Sequence, residues 1–251
     1  MVSEAHVGPE DSVFEVGTGP GTLTRQLALR ARHVLTVDLD RRLLAFACRE
    51  LKDFTNVTFL CADALEGKAR VAPEVLEALR RLEPFVWVSN LPYGIASTLI
   101  VALCESGLRW DRAALTVQAE VAARLAAQPG EPAYGPITAL TAFWADARLG
   151  RIIPPGAFWP PPRVTSRVIH LERRDPPLGP VIAYAAYRAW VKRLFVFRRK
   201  QLGGVLRRTL GEDGAGRAMG LGGWGSSQRP ESLGPADFLR LAQEFPVFHV
   251  D

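Results

Sequence analysis

The stretch SVFEVGTGPGTLTRQLALRA, residues 12–31, decides the fold. SVFEVG is apolar and β-branched, reads as a buried strand, and breaks at Gly17. GTLTRQLALRA then places Leu23, Leu27 and Ala31 at helical spacing. Strand, glycine-rich turn and helix in that order open an α/β unit. Gly17, Gly19 and Gly21 let the backbone approach a ligand closely and leave amides free at a helix start.

The same alternation continues outward. HVLTVD (33–38), NVTFLCAD (56–63), PFVWVSN (84–90) and AALTVQ (113–118) read as strands. Between and after them, helices are predicted over 41–54, 73–82, 95–107 and 120–128. The first has Leu43, Leu44, Ala47 and Leu51 on one face; the second carries proline at its first turn. PGEPAYGP (129–136) is a loop, and ITALTAFWA resumes a helix. This interval predicts an α/β fold with a doubly wound sheet, parallel in its first part. ADARLGRII and SRVIHLE can close it as an antiparallel pair, joined by the proline-stiffened PPGAFWPPPRVT with Phe158 and Trp159. After RRDPPLGP the chain turns helical, with GEDGAGRAMGLGGWGSS read as loops between short helices. Two domains are expected, 1–173 and a small helical 174–251.

Composition narrows the function. Of 251 residues, 48% are hydrophobic, enough for a sizeable core. No apolar run reaches the ~18 residues of a membrane span, and the acidic start MVSEAHVGPED is not a signal peptide. Cys48, Cys61 and Cys104 are widely spaced in apolar contexts, so they read as core residues of a cytoplasmic protein, with no metal site. Residues 1–172 hold 18 Lys and Arg against 19 Asp and Glu; residues 173–251 hold 13 against 7. The whole positive excess lies in the last third. It fits a module facing a polyanion, or a solubilising helical surface.

Three consecutive strand ends carry Gly, Asp and Asp. EVGTGPG is GxGxG preceded by Glu15, where a dinucleotide fingerprint would be GxGxxG. The shorter form has little room for a pyrophosphate and suits S-adenosylmethionine, with its amino-acid portion over the loop. Alone, the loop also fits a dinucleotide site or tight packing. Asp38 closes the second strand about twenty residues on, where a carboxylate can accept from ribose hydroxyls; Asp40 is the better helix N-cap. Asp63 ends the third strand, placed for an adenine amine, with Ala62 leaving room beside it. All fall on the carboxyl edge of one sheet, where open α/β folds bind ligands.

The fourth strand ends SNLPYGI (89–95). Proline breaks the ladder there. It leaves the Asn90 amide oxygen and the Leu91 carbonyl side by side, with the Tyr93 ring next to them. Two adjacent acceptors can hold both hydrogens of a planar exocyclic amine, and the ring can stack on its base. The plain alternative is a strand-terminating turn.

EVGTGPGTLT, VDLD, ADAL, NLPYGIAS, VQAEVAARLAAQPGEPAYG, GAFWPPPRVTS and FRRKQL occur in this order. Together they closely resemble the ribosomal-RNA adenine N6,N6-dimethyltransferases of the KsgA type. The related erythromycin-resistance methyltransferases share most of them. The resemblance covers roughly residues 12–245. It implies a Rossmann-like class I methyltransferase with a seven-stranded, mostly parallel sheet, a small C-terminal α-helical domain, and S-adenosylmethionine as cofactor. Glu15, Gly17, Gly19 and Gly21 would line its methionine part. Asp38 would hold the ribose, Leu39 would lie beside the adenine, and Ala62 and Asp63 would meet the adenine amine. Asn90, Leu91 and Tyr93 would hold the target adenine, with Phe158 on its other face. Arg198, Arg199 and Lys200 would contact RNA phosphates. The implied partner is ribosomal RNA in the immature small subunit, met by a monomer in the cytoplasm.

The family opens with a GQNFL-like segment upstream of the glycine loop, and none is present here. Either the chain is shortened or its reading frame begins late. An open cleft and weakened cofactor binding are expected from this. The rival readings are a non-catalytic assembly factor and a large-subunit resistance methyltransferase.

Overall fold

The computed structural model describes residues 2–67 and 69–246; Met1, Lys68 and residues 247–251, which fall within the two expected domains, lie outside the described residues. In chain order the elements are β1 (Ser12–Val16), α1 (Thr22–Ala28), β2 (His33–Asp38), α2 (Arg41–Glu50), β3 (Val57–Cys61), β4 (Leu65–Glu66), β5 (Arg70–Val71), α3 (Pro73–Leu82), β6 (Phe85–Asn90), α4 (Ala96–Glu105) and β7 (Trp110–Gln118). They continue with α5 (Ala119–Leu125), α6 (Pro136–Ala142), β8 (Ala145–Ile153), β9 (Ser166–Arg173), α7 (Tyr184–Val196), α8 (Leu202–Gly222) and α9 (Pro235–Glu244).

Seven strands form one sheet in the order β3-β2-β1-β6-β7-β9-β8, and β4 pairs with β5 as a small separate ribbon. β3, β2, β1, β6 and β7 run parallel, while β9 is antiparallel to β7. Parallel strands covered on both faces are apolar throughout, and β1 is buried at all five positions. The chain leaves β1 to one side for β2 and β3, then crosses to its other side for β6. The order therefore reverses between β1 and β6, and a crevice opens at such a switch point.

The chain divides into two compact units: residues up to Ala122 with Asp146–Arg173, and Ala123–Ala145 with Arg174 onward. This differs from a single cut at 173. The segment around α6 groups with the later helices because its aromatic residues build their core. Phe143 is fully buried, with ring centroids 4.8 Å from Tyr184 and 5.0 Å from both Trp144 and Tyr187. Tyr134 is buried and donates its hydroxyl to the Leu233 carbonyl at 2.9 Å.

Three local expectations are corrected. The run after residue 211 is not loops: α8 continues to Gly222, with one break at Gly211 (φ 77°, ψ 179°). Burial of Ala215 and Ala218 overrides the poor helix propensity of its glycines. Leu43 is 42% exposed, not part of the buried face of α2. Cys104 is buried and Cys48 half-buried, but Cys61 is exposed, because it ends the edge strand β3.

Phe143→Ala should destabilise its unit by about 3–5 kcal/mol, the usual cost of emptying a buried aromatic site. Urea unfolding followed by near-ultraviolet circular dichroism measures this. A change near zero would contradict the assignment of Phe143 to the core.

Candidate active site

The crevice is built by what glycine permits. Gly17 has φ 86°, and a Cβ there would lie 3.4 Å from the Asn90 carbonyl oxygen and 3.5 Å from Pro92 Cδ. The glycine loop and the NLPY turn thus meet backbone to backbone. Ser89, fully buried, locks them together: its Oγ accepts from the Val16 N–H at 2.8 Å and lies 2.9 Å from the Trp87 indole N–H donor. Gly19 has φ 53° with nothing within 4 Å of a built Cβ, so the loop faces open space at that point. Gly21 instead packs down on α2, where a Cβ would sit 3.0 Å from Leu51.

Glu15 stands beneath the loop with no exposed surface. Its Oε2 accepts from Thr24 at 2.6 Å and from Thr36 at 2.7 Å, and Thr36 Oγ1 lies 2.7 Å from Thr18 Oγ1. This buried cluster joins β1, the loop, α1 and β2. Glu15 therefore holds the loop from behind. Only its Oε1, buried without a hydrogen-bond partner, is left for a donor. Burial raises its pKa to about 7, against the lowering effect of the two threonines; the Asp38 charge adds to the rise.

Asp38 also serves the loop. Its Oδ2 accepts from the Gly19 N–H at 2.8 Å and its Oδ1 from the Asp40 N–H at 2.9 Å. A carboxylate offers about four lone-pair sites, so capacity for ribose hydroxyls remains. Asp40 caps α2 by accepting from Arg42 and Leu43. Leu39 is 67% exposed beside this edge, an apolar surface with no protein cover. Ala62 is buried; Asp63 is exposed and turns the chain by accepting from the Leu65 N–H at 2.9 Å. Gly loop, Asp38, Asp63 and Asn90 sit at the carboxyl ends of four adjacent strands. An orphaned buried carboxylate oxygen, an open loop face, an exposed leucine and an exposed carboxylate in sequence fit a ligand with an ammonium, a ribose and an adenine.

On the other side of the switch point, Asn90 is exposed and ends β6 opposite Thr116. The Leu91 side chain is buried and its N–H bonds the Thr116 carbonyl at 3.1 Å, so the backbone of the turn is pinned to β7. Pro92 has no N–H to compete for the acceptors beside it. The half-buried Tyr93 holds its hydroxyl 2.5 Å from Ser166 Oγ, at the first residue of β9. Phe158 is half-buried in the β8–β9 loop that leads into Ser166.

Among the basic residues, Arg198 differs from its expected role. Its guanidinium bonds Glu231 at 2.9 Å and the Pro132 carbonyl at 3.3 Å, tying together loops of its own unit. Arg199 and Lys200 are exposed in the turn between α7 and α8. The motif reading missed Ser89, Ser166, Thr24 and Thr36. Each is a hydroxyl residue in or beside a recognised motif, but only its buried partner reveals its part.

The sequence profile of the family described as ribosomal RNA adenine dimethylase matches residues 1–244. The chain belongs to this family. It is 32% identical to the ribosomal RNA small subunit methyltransferase A of Levilactobacillus brevis, across 98% of this chain and 84% of that protein. It is 34% identical to the protein of the same description in Ligilactobacillus salivarius, across 96% of this chain and 83% of that one. The crystal structure of the 23S rRNA methyltransferase ErmE superposes with a TM-score of 0.74 at 27% identity, covering 98% of this chain and 95% of that one. A dimethyladenosine transferase from Plasmodium falciparum shares the fold, with a TM-score of 0.78 at 23% identity, covering 98% and 93%. This dimethylase therefore has a class I methyltransferase fold, and the crevice between β1 and β6 is its candidate active site.

Two outcomes test the geometry of the site. A raised carboxyl pKa means the folded chain holds a proton that the unfolded chain has lost between about pH 4.5 and 7. The wild-type dimethylase should lose stability as pH rises through that window. Glu15→Gln should remove that slope, gaining roughly 3 kcal/mol on the wild type between the two pH values. Denaturant unfolding across pH decides it; parallel profiles would contradict the buried-acid assignment. Ser166→Ala should release the Tyr93 ring and lower methyl-transfer kcat by about tenfold, one lost hydrogen bond's worth. An unchanged kcat would remove Ser166 from the site.

Proposed function

We propose that this dimethylase methylates the exocyclic N6 amine of adenines in small-subunit ribosomal RNA, adding two methyl groups to each. The observation that carries this is the meeting of a glycine loop and NLPY at one switch point, with Gly17 against Asn90. S-adenosylmethionine is the methyl donor; bound there, it supplies an electrophilic methyl group on a sulfonium. The residues to hold it are Gly17 and Gly19 at the loop, Glu15 behind it, Asp38 and Leu39 at β2, and Ala62 and Asp63 at β3.

Asn90 and Leu91 orient the substrate. Their two oxygens accept the two amine hydrogens, which holds the amine in one direction and raises electron density on its nitrogen. No strong base is required, because the methylated ammonium loses its proton readily. Tyr93, fixed through Ser166, stacks on the base from one side, and Phe158 from the other. The adenine must leave its helix or loop to enter such a crevice.

The basic helical unit is the natural RNA-contacting surface, through Arg199 and Lys200 rather than Arg198, which is already held by Glu231. No helix of the described residues is long and apolar enough to cross a membrane. The fuller proposal is a monomer acting in the cytoplasm on adjacent adenines of the immature small subunit. A large-subunit substrate is the second reading, favoured by the 27% identity to ErmE across nearly the whole chain.

Radiolabelled methyl transfer should appear with isolated immature small subunits and not with naked large-subunit RNA. The reverse pattern would favour the second reading; subunit binding without transfer would overturn both. Asn90→Ala should lower transfer by at least a hundredfold while leaving RNA affinity within about twofold. Unchanged transfer would dismiss the amine-holding role.

A further inference from the structure

The β8–β9 segment carries a charge pattern of its own. Residues 147–171 contain Arg148, Arg151, Arg163 and Arg167 and not one acidic residue, although residues 1–172 as a whole hold one more acid than base. Arg163 is exposed, whereas Arg151 pairs with Glu4 at 3.1 Å and Arg167 donates to the Gly150 carbonyl at 2.9 Å. At the tip of this arm stands Trp159, 95% exposed. The other five tryptophans of the chain are all buried, between 0% and 8% exposed. A large aromatic ring left fully in water gives up the burial that makes tryptophan useful in a core.

The backbone that carries the ring is nevertheless constrained. Prolines at 154, 155, 160, 161 and 162 stiffen the loop on both sides. Its far end is pinned where the Ala119 N–H bonds the Thr165 carbonyl at 2.9 Å and Ser166 meets Tyr93. Phe158 has an extended backbone (φ −119°, ψ 154°), and successive side chains on extended backbone face opposite ways. Phe158 is half-buried, and Trp159 faces outward. The two adjacent rings cannot clasp one base between them. They offer separate faces on opposite sides of one rigid strand of loop.

We propose that Trp159 is a stacking platform for a second base of the same RNA strand, a nucleotide that flanks the target adenine and lies outside the crevice while the target is methylated. Arg163, exposed in the same loop, supplies the backbone contact. A rigid, exposed aromatic face with an exposed arginine close by in the chain is the chemistry by which proteins grip single-stranded nucleic acid. The platform would hold the strand splayed while its neighbour occupies the crevice. This rests on the RNA-methylating reading and adds to it a positioning residue that does not touch the reacting atoms.

Trp159 supplies the one solvent-exposed indole, so intrinsic fluorescence reads it directly. An adenine-rich single-stranded RNA oligonucleotide should quench the red-edge, acrylamide-accessible emission of the wild type. Trp159→Phe should abolish that signal while keeping RNA affinity, from anisotropy of labelled RNA, within about threefold. Trp159→Ala should weaken RNA binding about tenfold and raise KM for RNA with kcat nearly unchanged, leaving S-adenosylhomocysteine affinity and the circular dichroism spectrum as in the wild type. Bound RNA without quenching, an unaltered affinity in Trp159→Ala, or quenching by anionic phospholipid vesicles but not by RNA would overturn the platform. Methyl transfer by the wild type would keep the parent reading intact in those cases. A wild type that neither binds RNA nor transfers methyl groups would overturn both.

Discussion

Gly17 holds a backbone conformation that L side chains rarely adopt, and the site depends on that. Its φ is 86°, and a Cβ there would already be in van der Waals contact with the Asn90 carbonyl and Pro92. Close approach here is what brings two different binding surfaces to one point. On the proposed reading the loop on β1 would serve the methyl donor along β2 and β3, and the turn on β6 the adenine toward β7 and β9. Because β1 and β6 are adjacent while their following helices lie apart in the chain, the sheet itself sets the spacing. Ser89 reinforces it by accepting from the last amide of β1.

Beneath that contact lies a polar cluster in the sheet's interior. Glu15, Thr18, Thr24 and Thr36 are all buried and share hydrogen bonds. Burying a carboxylate costs stability unless it is satisfied, and this one is satisfied on one oxygen alone. A purely apolar cluster would hold the strands as well, but it would leave nothing behind the loop for a cationic ligand. The Asp38 carboxylate also fixes the loop, accepting from the Gly19 amide with capacity left for further hydrogen bonds. The local cost in stability goes with a loop fixed by hydrogen bonds, at Gly19 from Asp38 and beneath it through Glu15.

Much of this was legible in the sequence because it is written in local patterns. Strand-helix alternation, glycine spacing and a carboxylate at each strand end depend on neighbours within a few residues. The antiparallel closure by β9 also followed from such runs. What escaped depends on distant partners. FRRK reads as one basic cluster, yet Arg198 is occupied by Glu231, 33 residues away. Residues 123–145 look like a continuation of the sheet's rhythm, and only the aromatic contacts of Phe143 and Tyr134 group them with the later helices. The glycines of α8 argued for loops because propensity cannot weigh the burial of Ala215 and Ala218. Ser89 and Ser166 carried no signal, since an isolated serine is mute until its partner is known.

On the proposed reading one crevice, between the β1 loop and the β6 turn, receives the methyl donor on one side and the adenine on the other. A crystal structure with S-adenosylhomocysteine is the test. Ligand density is expected over residues 17–21, its amino group toward Glu15, its ribose at Asp38 and its adenine beside Leu39 and Asp63, with Asn90 facing its sulfur. Density elsewhere, or a ligand whose sulfur is walled off from Asn90, would contradict it.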